Sequence, residues 1–348
     1  MIEASQKVNL LGMTLEQLTA FVSSLGLKSF RGGQIFQWMY KHGKTSFLEM
    51  TNIARTDQEI LESSAAIGTP ELAERLKAVD GTEKYLYRLG DGHCVEGVLI
   101  PESNRVTLCV STQAGCALGC QFCLTAQGGL HRNLTTGEIV GQVFLARQLL
   151  GDSRTITHLV LMGMGEPLAN YDSTLGAVKI LLDPRGFDFS SRKITLSTAG
   201  LIPAIRRLLA ENIGIGLAVS LNASNSKTRD RLMPINRTYP MEDLLETLRT
   251  SPIPKRRRIT FEYVLIAGMN DTLEDAKRLA RILRGIPCKI NLIPYNPVPG
   301  ISFAAPSEER VARFQQTLFD GGYTVFIRSS RGNEISAACG QLRERFVS

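Results

Sequence analysis

Apolar positions along the chain change rhythm twice. Up to about residue 75 they recur every three or four residues, the spacing that places them on one face of a helix. LEQLTAFVSSLG is preceded by Thr14, which with Gln17 makes a capping box, and Gly26 suits its exit. RGGQIFQWMYKHG carries Phe36, Trp38 and Met39 as an apolar stripe, and SFLEMTNIARTDQEILES forms a third helical stretch. The rhythm then shortens to two in KYLYRL, CVEGVLI and VTLCVST, with Asp91-Gly92 as a tight turn between the first pair. From residue 106 strand-like and helix-like segments alternate. VTLCVS, THLVLMG, KITLST, IGLAVSL, RITFEYVLI, CKINLIP and YTVFIR are the strands; amphipathic segments such as TGEIVGQVFLARQLL and LEDAKRLARILR lie between them.

Repeated βα units with apolar strands predict a parallel sheet, and six or seven of them favour a curved one. The expected fold is α/β, a partial TIM-like (βα)6 barrel with a small helical domain in front. The boundaries fall at 1–75 for the helical accessory domain and 76–105 for a linking β-extension. The barrel then runs over 106–335, followed by a C-terminal segment over 336–348. Polar and glycine-rich residues after the strands (GCALGCQFC, MGEP, TAG, LNA, AGMN, PYNP) mark its functional rim.

Composition is ordinary for a folded protein, 43% hydrophobic and 21% charged, which argues against disordered, collagenous or coiled-coil classes. The net charge of +7 is unevenly placed. Residues 1–90 are balanced at 10 basic and 10 acidic, whereas residues 192–258 hold 13 basic and 5 acidic. A localised surplus suits a polyanionic partner, with Lys255, Arg256, Arg257 and Arg258 as a run and Arg105, Arg132, Arg328 and Arg331 near segments expected at the rim. The first residues show no basic-then-apolar leader, and no apolar window approaches a membrane span. Seven cysteines, an odd number, do not make a disulfide scaffold. The expectation is a cytoplasmic, membrane-free monomer.

Three of those cysteines stand together. Cys116, Cys120 and Cys123 form C-x3-C-x2-C directly after a barrel strand. Three thiolates so close require a positive partner, and no adjacent CxxC or HxxxH completes a structural zinc site. Soft thiolates suit a [4Fe–4S] cluster, and three of them leave one iron with an open position.

This arrangement resembles the radical S-adenosylmethionine (AdoMet) superfamily, with Phe122 beside the last cysteine and MGMGEPLAN after the second strand. The resemblance implies that Cys116, Cys120 and Cys123 hold a [4Fe–4S] cluster and that AdoMet chelates the unique iron. It also places AdoMet contacts on Gly165, Glu166, Ser197, Ser220, Leu221, Asn222 and Asn296. Asn222 departs from the histidine of the superfamily's SLH-like segment. EGVLIP, LCVSTQAGC, CLTAQGG, RNLT, LMPIN, INLIPYNP and AACGQL together resemble the RlmN family of dual-specificity RNA methyltransferases over almost the whole chain. That family methylates C2 of an adenosine in the peptidyl-transferase centre of 23S rRNA and of the adenosine just 3′ of the tRNA anticodon.

By the same resemblance, Cys339 accepts a methyl group from one AdoMet, and Glu96 is the proton acceptor. Cys109 attacks the Cys339 sulfur to form a disulfide and release the base. An electron donor such as flavodoxin or ferredoxin is implied. Cys94 and Cys288 read as buried small apolar residues. Two other readings stay open: a Cfr-like enzyme acting on C8, against which the GEP segment and long front domain count, and a non-catalytic RNA-binding Fe–S or zinc protein.

Overall fold

Alternate residues along the central parallel strands are sealed under helices while those between them stay partly accessible, and this asymmetry organises the molecule. The structure is a computed structural model; it describes residues 7–151, 154–252, 257–298, 300–343 and 345–346. The front unit comprises β1 (Val8–Asn9), α1 (Leu15–Ser24), α2 (Phe30–Tyr40), α3 (Arg55–Ser64) and β2 (Ala65–Ala66), the two short strands pairing in parallel. The capping box forms as expected, and Gly26 takes φ +76° at the end of α1.

An antiparallel run follows: β3 (Glu71–Lys77), β4 (Glu83–Arg88) and β5 (His93–Glu102), leading into β6 (Arg105–Cys109). The strand β3 was not evident in the sequence, because ELAERLK alternates charged with small or aliphatic residues and only half buries them. A small hairpin of β7 (Gln113–Gly115) and β8 (Leu130–Asn133) brackets the short α4 (Leu124–Gln127). Then α5 (Thr136–Leu150), β9 (His158–Leu161), α6 (Tyr171–Leu182), β10 (Ile194–Thr198), α7 (Ile202–Ala210) and β11 (Gly216–Ser220) alternate. The pattern continues through α8 (Ser226–Leu232), α9 (Met241–Thr250), β12 (Ile259–Leu265), α10 (Leu273–Ile282), β13 (Cys288–Pro294), α11 (Glu308–Asp320) and β14 (Val325–Ile327). Finally β15 (Arg345–Phe346) pairs with β5.

The sheet runs β14-β13-β12-β11-β10-β9-β6-β5-β4-β3, its first seven strands parallel. This is the expected partial barrel. Along β10 and β13 outward residues such as Ile194, Leu196, Ile290 and Leu292 are sealed under the helices, while inward Thr195, Ser197, Lys289 and Asn291 stay half-buried. Helices cover one face only; the other lines a channel.

The front unit sits against α5 and α6. Gly12 (φ +97°) approaches Gly137 so closely that a Cβ on it would lie 2.3 Å from the Gly137 nitrogen. Tyr40 donates to Met13 O, accepts from Gly12 N and packs on Phe187, while Arg147 donates to Tyr40 O.

Candidate active site

The three-cysteine loop departs from β7 through Gly115, whose φ of +78° brings it within 2.0 Å, measured from a Cβ, of Gly129 O; only glycine fits. Backbone bonds then tie the loop to two distant segments. Gln121 N donates to Leu232 O at 2.9 Å and Leu124 N to Gly340 O at 2.8 Å. Cys116, Cys120 and Cys123 all border one cavity of about 210 Å³ at the C-terminal end of the barrel strands. Burial pushes the Cys116 thiol up to about 11 and that of Cys120 higher still, and neighbouring thiolates add to both rises. A bound cationic cluster would offset that cost by stabilising their thiolates. Among the described residues no three His, Cys, Asp or Glu side chains converge as the ligands of a single metal ion do. A cubane takes one thiolate per iron, so its ligands surround it instead of meeting at a point.

The same cavity is bordered by Gly165, Glu166, Ser197, Ser220, Asn222, Asn296, Cys109 and Cys339. Glu166 is 3% exposed; its Oε1 accepts from Leu168 N at 3.0 Å and its Oε2 from Ala199 N at 2.7 Å. Burial raises its carboxyl to about 7, against those bonds. Gly165 (φ +95°) lies hard against Gln113, whose Oε1 accepts from Glu166 N. Asn222 has φ +57°, a region asparagine tolerates, and its Oδ1 accepts from Val264 N at 2.8 Å, stitching β11 to β12. Leu221 does not border the cavity; it is sealed, with N bonded to Glu262 O and O to Arg229 Nε. Asn296 Nδ2 donates to Cys339 O at 3.2 Å, and its Oδ1 accepts from Ser330 Oγ, so this side chain holds the C-terminal loop.

Cys109 ends β6 and Cys339 arrives from the far end of the chain, yet both face the cavity. Burial lifts the Cys109 thiol to about 12 and also raises Cys339, while the Arg328 guanidinium draws both down. Cys339 is accessible although surrounded by protein, because its free surface is cavity wall. The disulfide anticipated between these two is absent: all seven cysteines are free thiols. Burial holds both as neutral thiols, and a neutral thiol does not initiate exchange. Cys94 and Cys288 are buried and do not border the cavity.

Glu96 stands behind the wall. It is 1% exposed, 3.1 Å from the equally buried Lys84 Nζ, and its Oε2 accepts from Arg343 N at 3.0 Å. Alternation along β5 puts it on the same face as Val98 and Ile100, which border the cavity.

Three residues went unassigned in the sequence. Arg229 is fully buried and donates to the backbone oxygens of Leu221, Ala199 and Ser220 and to Asn236 Oδ1, gathering the ends of β10 and β11. Glu262 borders the cavity with Oε1 accepting from Asn291 Nδ2 at 2.9 Å and Oε2 lacking a hydrogen-bond partner. Met162 lies on the opposite wall, 4.0 Å from Arg328 Nη1. Inward alternation on β12 was the only signal for Glu262, and a buried arginine leaves none.

The basic surplus of residues 192–258 is not one patch. Arg192, Lys193, Arg257 and Arg258 lie at the N-terminal ends of β10 and β12; Lys227, Arg231 and Arg237 lie beyond β11 on the opposite rim. Lys255 and Arg256 lie outside the described residues. Arg105 begins β6 and so sits at the end opposite the rim where it was expected, beside Glu102. Arg132 is held by Asp91 and Glu138, Arg331 lies 3.9 Å from Asp80, and Arg328 alone of that group borders the cavity.

Comparison with known proteins adds identity to this geometry. Residues 8–67 match the profile described as ribosomal RNA large subunit methyltransferase N-terminal domain, and residues 110–281 match the radical SAM superfamily. The dual-specificity RNA methyltransferase RlmN of Geobacter sulfurreducens is 51% identical over 338 residues, covering 97% of this chain and 92% of that protein. Its counterpart in Geotalea uraniireducens is 48% identical over 340 residues, 98% of each. A crystal structure of a radical SAM methyltransferase from Sphaerobacter thermophilus superposes with a TM-score of 0.91 at 44% identity, covering 97% of this chain and 99% of that one. With the front unit, the barrel and the C-terminal cysteine segment all inside these alignments, the chain belongs to the RlmN family of radical SAM enzymes.

Proposed function

We propose that the protein is a radical SAM methyltransferase acting on C2 of adenosine in RNA, with 23S rRNA and tRNA as substrates. The observation that carries this reading is the meeting of Cys109 and Cys339 in the cavity that also receives Cys116, Cys120 and Cys123. A plain AdoMet-binding module has no use for the first two. C2 of adenine is electron-poor and carries no acidic hydrogen, so direct methyl displacement is unfavourable and a thiol carrier is required.

Cys116, Cys120 and Cys123 would hold the [4Fe–4S] cluster, and Glu166, Ser197, Ser220, Asn222 and the Gly165 backbone would bind AdoMet. When bound, these groups supply the methyl group and one-electron chemistry. The chain's own residues do the rest. Cys339 receives the methyl group and presents it to the base from a loop fixed by Asn296 and Gln341. Cys109, which borders the same cavity, would attack the Cys339 sulfur once deprotonated, its S–S bond forming as the sulfur–carbon bond to the product breaks and that carbon takes a proton. Glu96, held behind the cavity wall by Lys84 at 3.1 Å and by the Arg343 amide, would accept the C2 proton once that wall gives it access. The cavity walls Val98, Ile100 and Val160 exclude water from the reacting atoms.

Among the described residues no helix is long and apolar enough to cross a membrane. A cytoplasmic monomer served by a flavodoxin- or ferredoxin-type donor fits this chemistry. Anaerobic reconstitution with AdoMet and reductant, followed by incubation with each RNA and nucleoside chromatography against C2- and C8-methyladenosine standards, tests the proposal. The C2 product is expected from both RNAs; C8 product, or undiminished C2 product from Cys339→Ala with its cluster intact, overturns it.

A further inference from the structure

The cavity has two ends, and they differ. At the C-terminal rim the chain closes over itself. The cysteine loop bonds to Leu232 and Gly340, Thr125 Oγ1 donates to Leu342 O at 2.5 Å, and Gln341 Nε2 donates to Pro297 O at 2.9 Å. At the N-terminal end of the strands Arg105, Lys193 and Arg258 are exposed, and His158 and Lys289 half-buried. Alternation from cavity-lining residues places the positions beneath them: Arg105 below Cys109, His158 below Val160, Lys193 below Ser197, Arg258 below Glu262 and Lys289 below Ile293. Five of the six strands from β6 to β13 therefore carry an Arg, Lys or His at or just before their N-terminal ends; β11 begins with Gly216 instead. Their neighbours agree with that placement. Lys193 Nζ lies 3.2 Å from His158 Nε2, and Arg258 Nη1 donates to Thr324 Oγ1 at 3.0 Å across the foot of β13. Glu102 beside Arg105 is the acid that faces this layer from β5.

An aromatic ring stands on the next strand. Phe326 on the edge strand β14 is 50% exposed. It registers with Asn291, whose side chain bonds Glu262 on the cavity wall, so Phe326 shares the inward face. Arg328, two residues on, reaches the cavity itself. A large apolar ring left half in water, two residues before Arg328, is more exposed than packing within this chain requires. Cations flanking an exposed ring are what a single nucleic-acid strand requires: charge for its phosphates and a platform for an unstacked base.

We propose that RNA enters the barrel through this N-terminal mouth, opposite the rim that holds the cofactor residues. Its phosphates lie on Arg105, Lys193, Arg258 and Lys289, and a base stacks on Phe326 as the target nucleotide passes Arg328 toward Cys339. This rests on the reading of the protein as an RNA methyltransferase.

The test is RNA affinity of the reconstituted protein across a salt series, with transcribed tRNA and a 23S rRNA fragment as probes. Lys193→Glu/Lys289→Glu is expected to weaken binding at least about tenfold and lower the log–log salt slope by about two. Phe326→Ala should weaken it by about tenfold with the slope unchanged. Lys227→Glu/Arg231→Glu, on the opposite rim, should stay within about twofold of wild type. Unchanged cluster absorbance shows that each variant is folded. The proposal is overturned if the rim pair loses affinity and the mouth pair does not, if all variants bind alike, or if the mouth pair weakens binding with no change in slope. Failure of the unmodified protein to bind either RNA would instead defeat the RNA reading itself.

Discussion

The helical front unit and the barrel interior obey different rules within one chain. In the front unit Leu10, Leu18, Val22, Ile35, Phe36 and Met39 are each no more than 1% exposed, and the buried polar side chain Gln58 donates to Met50 O. In the barrel Glu96, Lys84, Glu166, Glu262 and Arg229 are all buried, and Glu262 keeps an oxygen without a hydrogen-bond partner. Desolvating such groups costs free energy that apolar packing does not. Glu166 and Glu262 among them border the cavity itself, and the contrast separates residues that hold the protein together from residues that act.

Breaking this contrast is most dramatic at Cys339. Cys339→Ala should reduce methylated nucleoside below detection while cluster absorbance and melting temperature stay near wild type, since the thiol borders a cavity and supports no packing. An accompanying fall in melting temperature would place Cys339 with the structural residues instead.

Next in size are two stability effects of similar magnitude and different origin. Lys84→Met strands the Glu96 carboxylate and should cost roughly 3–5 kcal/mol in chemical denaturation, whereas Lys84→Met with Glu96→Leu should recover much of it. Phe36→Ala should cost about 3–5 kcal/mol by leaving a void in the front unit, and a double variant recovers nothing there.

A smaller effect appears on raising the pH. Burial lifts the Cys288 thiol to about 12, so the folded state holds its proton after the unfolded chain has lost it. Its contribution is complete below the unfolded value near 8.5 and declines as pH rises toward 12, by up to about 1.4 kcal/mol per pH unit. Denaturation midpoints at pH 8 and 10 should therefore fall less in Cys288→Ala than in wild type. Least of all, Thr14→Ala removes the α1 cap and should cost about 1 kcal/mol, with no change in cluster content.

Much of the architecture was legible in the sequence because it depends on local periodicity. The Thr14–Gln17 capping box, the βα alternation and the Asp91-Gly92 turn are short-range devices whose residues specify their own geometry. The cysteine loop was legible for the same reason, its three thiols lying within eight residues. Strand β3 escaped because an exposed edge strand has no strong apolar alternation to reveal it. Arg105 was placed at the wrong end of the barrel because a residue beginning a strand and one ending it look alike until the strand's direction in the sheet is known.

Sequence alone determined the chemistry available: soft thiolates at close spacing, a carboxylate after the second barrel strand, a basic excess in the second half. Only the tertiary structure decided which of these meet. Cys109 faces Cys339 because the C-terminal segment folds back over β5 and is pinned by Asn296 and Glu96. Glu96 sits against Lys84 instead of water because β4 and β5 bring them together. The basic excess divides between the two ends of the barrel because parallel strands send every strand start one way and every strand end the other. Local patterns report a residue's neighbours along the chain; burial, partner and facing direction come from segments that close on one another across hundreds of residues, and no local pattern encodes them.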